Sequence, residues 1–339
     1  MGEAEVPREL KQAFRKLNGA LKGADFSGIK VKGLDLRMID LADANFKGAV
    51  MTDWTFHGLG NTPASILDGA NFSGAVMQHV NMKGVSAKGA DFSKVTLVGL
   101  ERGKFVVDLS DANLEGADFS DIKFTGDPNA KSFHFNDSNL ENANFEDSNL
   151  PRMSCFRTRM RDADFTGANL QGMVIKKADI RDAIFKDADL MDMELGSQWK
   201  LGEQFKPFDH DMCLTEGANF AGANLNGVNL NFRNLRFCNF EGASFVNADL
   251  EGGNFVGSSF EDADLSNAIL KRANFANVDF CGAKFRNNDW EHAHTAGAQV
   301  SGVASSNPVN LPNLPEGSKA PRLKSGKKSD LTESMVNGS

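Results

Sequence analysis

The residues of this sequence most able to do chemistry are its cysteines and its carboxylates. Cys155, Cys213, Cys238 and Cys281 are spaced like neither a zinc site nor a compact disulfide framework, which favours free thiols in a reducing compartment. The 45 Asp and Glu residues will include close pairs, but paired carboxylates catalyse acid–base reactions only where a cleft perturbs their pKa values. No nucleophile elbow, Walker loop or HExxH motif occurs. A catalytic role therefore depends on whether the fold provides a cleft.

The composition limits the classes of protein to consider. There are 27 Phe residues, no Tyr and only 3 Trp, which indicates one buried slot used repeatedly without a polar partner. A net charge of −8 argues against direct nucleic-acid binding through phosphates. No apolar stretch approaches the roughly 20 residues of a membrane span, and the N-terminus lacks a signal-peptide core. We expect a cytoplasmic location, with secretion into a host cell without a cleavable signal as the alternative.

A five-residue repeat fills most of the chain. It reads ADFSG, IKVKG and LDLRM from residue 24, and ANFAG, ANLNG and VNLNF from residue 218. The first position is mostly small, the second mostly Asn or Asp, and the third Phe or Leu. A period of five fits neither the helical 3.6 nor the strand 2.0. It predicts a solenoid with a corner every five residues, four sides and twenty residues per coil.

The repeat positions predict which side chains point inward. The third residue should lie on the axis and the small first residue beside it, because close packing leaves no other space. The other three positions should face solvent, with Asn and Asp at corners where their side chains bond nearby backbone. The predicted core stack of the clearest stretch comprises Phe220, Leu225, Leu230, Leu235, Phe240, Phe245, Leu250 and Phe255.

These repeats resemble the pentapeptide-repeat family, written A(D/N)LXX, over nearly all of residues 24–302. The resemblance implies an all-β fold, a right-handed quadrilateral β-helix. It implies little about function, because the family includes gyrase-protecting DNA mimics, secreted bacterial effectors and many proteins of unknown role.

Three regions are predicted along the chain. Residues 1–23 contain a capping helix over 6–22, whose apolar residues recur every three or four positions. Residues 24–302 form the β-helix, with loops near 59–64, 100–106, 127–132 and 198–212, where the count in fives slips. Residues 303–339 are rich in Ser, Pro, Asn and Lys, and we expect them to be disordered.

The longest interruption, 198–212, is either a binding loop or a degenerate coil, since its frame jump of twenty residues equals one coil. Exposed aromatic residues mixed with charged ones are typical of binding loops. Its candidate partner-binding residues are Trp199, Lys200, Phe205, Lys206, Phe208, Asp209 and His210.

One side of the predicted solenoid is acidic. Counting sides in chain order, side one carries twelve acidic residues against Lys47, Lys94 and Lys186, and the loops emerge at the corners around side three. The candidate acidic residues for recognition include Asp118, Asp121, Glu146, Asp147, Asp164, Glu261 and Asp262.

A rod filled with Phe and Leu has no cleft, so we expect no enzyme, no cofactor and no metal. The favoured function is a protein-binding or architectural rod that recognises an unidentified protein through its flat sides and loops. The alternatives are a DNA mimic acting on a type II topoisomerase such as gyrase, and a secreted bacterial effector. We also expect a homodimer contact at the C-terminal end, where the last coil is weakly capped.

Overall fold

The computed structural model describes residues 4–5, 21–58, 64–100, 102, 105–127, 129–196, 213–302 and 304–305. Within these ranges the chain winds as a right-handed quadrilateral β-helix whose successive coils pair in parallel. The four sides are called faces 1 to 4 in chain order, beginning with the side of Phe26. On face 1, bridges connect Asp25 to Gln299 through thirteen levels. At a strand spacing of about 4.8 Å, the rod is about 58 Å long. The predicted all-β quadrilateral solenoid is confirmed, and the predicted N-terminal capping helix lies mostly outside the described residues.

Two faces carry most of the regular strands, and strand pairing is parallel throughout the described part of the chain. On face 2, β1 pairs with β2, and β3, β4, β6 and β8 follow in order; β13 and β14 extend the same face near the C-terminus. On face 3, β5, β7, β9, β10, β11 and β12 form the second six-stranded sheet. The strands are β1 Ala4–Glu5, β2 Lys30–Lys32, β3 Val50–Thr52, β4 Val76–Gln78, β5 Val80–Asn81, β6 Thr96–Gly99, β7 Phe105–Asp108, β8 Lys123–Gly126, β9 Lys131–His134, β10 Ser154–Phe156, β11 Val174–Lys176, β12 Glu194–Leu195, β13 Lys284–Phe285 and β14 Ala304–Ser305.

An Asn or Asp at the second position of a repeat caps the turn that follows it. Where it is Asn or Asp, its side chain accepts a hydrogen bond from the backbone N–H two residues on, as Asn45 does from Lys47 at 3.1 Å. Most such sides are single bridges, and the tight turn that follows has a residue in the left-handed region at the end of the repeat, such as Asp43 at φ 59° after Asp40. Where it is Lys30 or Val50, the side is a regular strand. Most second residues are half-buried, and a few, such as Asp25 and Lys30, are exposed. The predicted bonds of Asn and Asp to nearby backbone are present at the corners.

A ladder of stacked rings fills the axis beneath face 1. Ring centroids of successive coils lie between 4.6 and 5.5 Å apart. The rings are nearly parallel up to Phe240 and tilt beyond it, where Phe residues also occupy the central slots of faces 2 and 4. Stacked pairs contribute about 0.5–1.5 kcal/mol beyond burial. The ladder comprises Phe26, Phe46, Phe72, Phe92, Phe119, Phe145, Phe165, Phe185, Phe220, Phe240, Phe260 and Phe280.

At three corners, a buried serine hydroxyl bonds the two backbone groups that would otherwise bond each other. At the corner between Phe119 and Ile122, the usual turn hydrogen bond is replaced by the hydroxyl of Ser148 from the next coil. This hydroxyl accepts from the Ile122 N–H at 3.0 Å and donates to the Phe119 carbonyl. Ser65 and Ser258 make the same pair of bonds, each to a corner of the preceding coil. The Ser65 hydroxyl accepts from the Ile39 N–H and donates to the Leu36 carbonyl. The Ser258 hydroxyl accepts from the Cys238 N–H and donates to the Leu235 carbonyl. A serine in the small inward slot therefore links two coils where alanine would only fill space.

The described coils pair directly across every interruption of the repeat. Residues 179–194 pair with 214–229, so no coil lies between them, which disfavours the degenerate-coil interpretation of 198–212. The interruptions near 100–106 and 127–132 end in strands, because β7 begins at Phe105 and β9 at Lys131. Most of 59–64, the segment 198–212 and residues 306–339 lie outside the described residues. So do residues 6–20 of the predicted helix; residues 21–23 form a turn.

Candidate functional site

Three of the four cysteines lie in the interior. Cys155, Cys213 and Cys238 are buried free thiols, and burial raises the pKa of each, that of Cys238 to about 12. The half-buried Cys281 also has a raised pKa, again through burial first. Thiolates are the reactive form, so these side chains are poor nucleophiles. Among the described residues no group of three or more His, Cys, Asp or Glu side chains could hold a metal ion.

Both complete coils of the predicted core stack lie on the axis, with all eight side chains no more than 1% exposed. Phe220 and Phe240 belong to the ring ladder of face 1, and the other six occupy the central slots of faces 2, 3 and 4. Recognition is thereby restricted to the outer surface.

Face 1 carries the acidic residues. The bridges place all seven sequence-predicted acidic candidates on this face, together with five further carboxylates. Of these twelve face 1 carboxylates, only that of Asp187 forms an ion pair with a described residue, Lys186 at 3.9 Å. The twelve carboxylates are those of Asp25, Asp91, Asp118, Asp121, Glu146, Asp147, Asp164, Asp187, Glu241, Glu261, Asp262 and Asp279.

The carboxylates of the other faces are mostly paired. Arg181 donates to Asp179 from two nitrogens, with Nη2 2.6 Å from Oδ2, and Lys176 lies 2.6 Å from Glu194. Such pairs neutralise faces 3 and 4 locally. Among the described residues, face 1 therefore differs from each of the other faces in carrying eleven carboxylates without an ion pair.

The charge of face 1 is concentrated. Asp118, Asp121, Glu146, Asp147 and Asp164 lie on three successive coils, or about one charge per 3 Å over about 14 Å. A second group lies near the C-terminal end. There, burial and then the carboxylates of Asp279, Glu241 and Asp262 raise the pKa of Glu261. The like charges of these neighbours add to the effect of burial.

The seven candidate residues of 198–212 lie outside the described residues. Sequence reasoning did not single out a second group of side chains on face 3. The Phe105 ring stacks on His134 with centroids 4.5 Å apart, and the Arg157 guanidinium lies 4.4 Å from the Phe156 ring centroid. Phe156 is the fourth residue of its repeat and Phe105 lies in the interruption near 100–106, so neither occupies a central slot, and this was the signal that could have revealed them.

A solid rod of four flat sides, with recognition restricted to its exterior, is the class of protein that this geometry defines. The chain belongs to the family of pentapeptide repeat proteins. The family's profile, described as pentapeptide repeats (8 copies), matches residues 64–99, 107–126, 154–192, 216–252 and 254–287.

Several solved structures are similar to the chain. HetL, a pentapeptide repeat protein involved in heterocyst differentiation regulation in the cyanobacterium Nostoc sp. strain PCC 7120, is 19% identical, with 87% of this chain and 97% of HetL covered and a TM-score of 0.22. Full-length QnrB1, a plasmid-mediated fluoroquinolone resistance protein, is 18% identical over 70% of this chain and 91% of its own, with a TM-score of 0.25. A pentapeptide repeat protein from the Arabidopsis thaliana thylakoid lumen is 28% identical over 24% and 61%, with a TM-score of 0.17.

No curated protein matches the chain. Within the described residues, no helix has the length and apolar character needed to cross a membrane.

Proposed function

We propose that this chain is a non-enzymatic rod that binds a protein partner through its outer faces, with face 1 as the principal contact surface. The observation that carries the proposal is the set of eleven carboxylates on face 1 that form no ion pair with a described residue. The interior supports it, because buried side chains fill the axis of the described coils and leave their outer faces for contact. The segment 198–212 is a second proposed contact, on the strength of its aromatic and charged residues alone.

The partner proposed for face 1 is a protein with a basic surface. Carboxylates that are already paired must give up a cation before they bind another, whereas those of face 1 need not. Complementary charge also speeds encounter and selects among partners. We propose that the rod acts in the cytoplasm, since its four cysteines are free; delivery into a host cell remains the alternative proposal.

The test is capture of a partner by immobilised protein. The variant Asp121→Asn with Glu146→Gln removes two charges of face 1 and leaves the corner-capping residues intact. The matched control, Asp192→Asn with Glu216→Gln, makes the same changes on faces 2 and 4. A partner bound by wild type and control but not by the face 1 variant supports the proposal. Equal capture by all three proteins would refute it, and a separate deletion of 198–212 tests the second contact.

The charge density of the three middle coils favours a second candidate, mimicry of DNA towards a type II topoisomerase. One charge per about 3 Å is close to the spacing along one strand of B-DNA, about 3.4 Å. The whole rod does not match duplex DNA, which would carry roughly 34 charges over this length against a net of about nine on face 1. Any mimicry is therefore local. A supercoiling assay that showed neither inhibition nor protection from quinolones at micromolar protein would exclude it.

A further inference from the structure

One edge of strand β8 pairs with no strand of the described chain. β8 is the last strand of the first six-stranded sheet, and its other edge pairs with β6 over the full length of Lys123–Gly126. On the open side, the following coil makes one backbone bond just before β8 begins, from the Asn149 N–H to the Ile122 carbonyl at 2.9 Å. Beyond that bond, the two coils are no longer paired on face 2.

The directions of the backbone groups follow from the pairing with β6. The Lys123 N–H donates to the Val95 carbonyl at 2.8 Å, and N–H groups alternate in direction along a strand. The N–H groups of Phe124 and Gly126 and the carbonyl of Phe124 therefore point to the open edge. Among the described residues, none of these three groups has a hydrogen-bond partner.

Pro151 explains why the sheet ends here. It lies on face 2 of the following coil and has no N–H to donate to the Phe124 carbonyl. Its own carbonyl accepts from the Ser132 N–H at 3.1 Å, beyond the interruption that follows β8. The coil thus bonds to the chain after the interruption and leaves β8 as an edge in the middle of the rod.

The open edge lies at the surface. β8 contains no buried residue, and both Thr125 and Gly126 are exposed. Phe124 occupies the central slot of its repeat but is only partly buried, whereas Leu97, its register partner in β6, is completely buried. The following coil therefore does not cover β8 in the way that β8 covers β6.

We propose that the open edge of β8 binds an extended segment of another protein, which adds a strand to face 2. An N–H, a carbonyl and a second N–H follow one another along this edge. An extended backbone supplies two acceptors and one donor at the same spacing, so main-chain hydrogen bonds hold the segment. Exposed strand edges are templates for pairing of this kind. The site is separate from face 1 and does not rest on the proposed function.

Arg152 determines which side chain the segment should carry. It follows Pro151 at the corner between faces 2 and 3, is exposed, and forms no ion pair with a described residue. The repeats 148–152 and 168–172 contain no carboxylate. A carboxylate of the added strand would accept two parallel hydrogen bonds from the guanidinium. The proposed partner is therefore an acidic extended segment.

The other charges near β8 are placed differently. Asp121 and Asp147 lie at the opposite corner of face 2, beside face 1. The Asp127 carboxylate accepts from the Asn129 N–H at 2.8 Å, within the turn that follows β8. Residues 306–339 of this chain contain five basic and three acidic residues, so they match a basic corner poorly. An acidic segment of another protein fits the edge better than the chain's own tail.

Hydrogen exchange of the free full-length protein tests whether the edge is open. The Lys123 and Thr125 amides bond to β6 and should be protected, while those of Phe124 and Gly126 should exchange at least about tenfold faster. Equal protection of all four amides would show that the chain covers its own edge. That result overturns the proposal, and loss of the protection on deletion of 306–339 would identify the tail as the occupant.

A synthetic peptide then tests binding. The probe is acetyl-Thr-Glu-Val-Thr-Glu-Val-Thr-amide at millimolar concentration. The control is the same peptide N-methylated at its third and fourth residues, which removes a donor from each edge. The probe should slow exchange of the Phe124 and Gly126 amides at least about threefold and leave those of Lys123 and Thr125 unchanged. No slowing by the probe, or equal slowing by the control, overturns the proposal.

Charge exchange tests the acidic chemistry of the partner. Arg152→Glu should weaken binding of the probe at least about threefold, because repulsion replaces an exposed ion pair. Lysine in place of both glutamates of the peptide should restore binding to this variant. Arg286→Glu makes the same change on a distant coil of face 2 and should bind the probe like the wild type. If Arg152→Glu loses its β-helix circular dichroism, Arg152→Gln replaces it. Equal binding of the probe by the wild type and both variants overturns the proposal of an acidic partner.

Discussion

Replacement of Ser148 by alanine isolates the energetic role of the inserted hydroxyl. Ser148 is 1% exposed, and its Oγ connects the Ile122 N–H to the Phe119 carbonyl of the preceding coil. Alanine fits the slot, which holds alanine in many other coils, so packing is conserved. The substitution leaves one buried donor and one buried acceptor without their partner. Each such group costs about 1–3 kcal/mol, and the turn can recover part of this by closing on itself. We expect a net loss of about 1–3 kcal/mol.

Ser138 provides the matched control. It is also a buried serine in the small inward slot, and its Oγ donates to the Phe135 carbonyl. That carbonyl also accepts from the Ser138 N–H at 3.1 Å and from the Thr158 hydroxyl at 2.8 Å. Ser138→Ala therefore leaves no backbone group without a hydrogen-bond partner. It should change the free energy of unfolding by no more than about 0.5 kcal/mol.

Hydrogen exchange of the Ile122 amide measures the effect where it arises. In Ser148→Ala this amide should exchange about tenfold faster or more, since about 1.4 kcal/mol corresponds to a factor of ten. Urea unfolding followed by circular dichroism should show the same order of stability among the three proteins. If Ser148→Ala and Ser138→Ala were equally stable and the Ile122 amide kept its protection, the corner would close without cost and the reasoning would fail.

Three further predictions concern the ladder, the corners and pH. Phe165→Ala should lower the unfolding free energy by about 3–5 kcal/mol in urea titrations, and Phe165→Leu by about 1–2, because leucine fills the slot but stacks with neither neighbouring ring. Gly126→Ala should cost at least about 2 kcal/mol, since its φ is 106° and an added Cβ would meet backbone; Gly227→Ala, with open space around it, should cost about 1. Burial alone would raise the pKa of Asp108, but hydrogen bonds from His134 and neighbouring groups lower it from 3.8 to about 2. This stabilisation is present above about pH 4 and lost as pH falls towards 2, so the wild type should lose about 1–2 kcal/mol more than Asp108→Asn across that window in acid-titrated unfolding.

Much of the fold could be predicted from the sequence because every repeat places the same two positions, the first and the third, inside the coil. A third-position Phe or Leu must be buried, and a small first residue must precede it, so Phe220 and Leu225 could be placed on different sides by counting alone. The same count assigned Asp121 and Glu146 to one face, where the structure has them. This worked because the interruptions add residues at corners and leave the order of the sides unchanged.

The remaining features depend on contacts between coils, which a repeat pattern read along the chain does not contain. The stack of Phe105 on His134 requires that two interruptions of different length end in strands lying on each other. The link from Ser148 to the corner at Ile122 spans 26 residues, and alanine would satisfy the pattern equally well. The uncompensated charge of face 1 likewise depends on which cations reach which carboxylates in neighbouring coils.

The division of each coil into four equal sides has a consequence for how such a chain can change in length. Loss or duplication of twenty residues between equivalent corners alters the reach of the rod by about 4.8 Å and returns every later residue to its original side. Gain of a single five-residue unit instead rotates everything beyond it by a quarter turn. The carboxylates on either side of such an insertion would then point in perpendicular directions, although every unit still packed correctly. Selection on an outer surface should accordingly favour changes in whole coils, while the core alone would tolerate changes in fives.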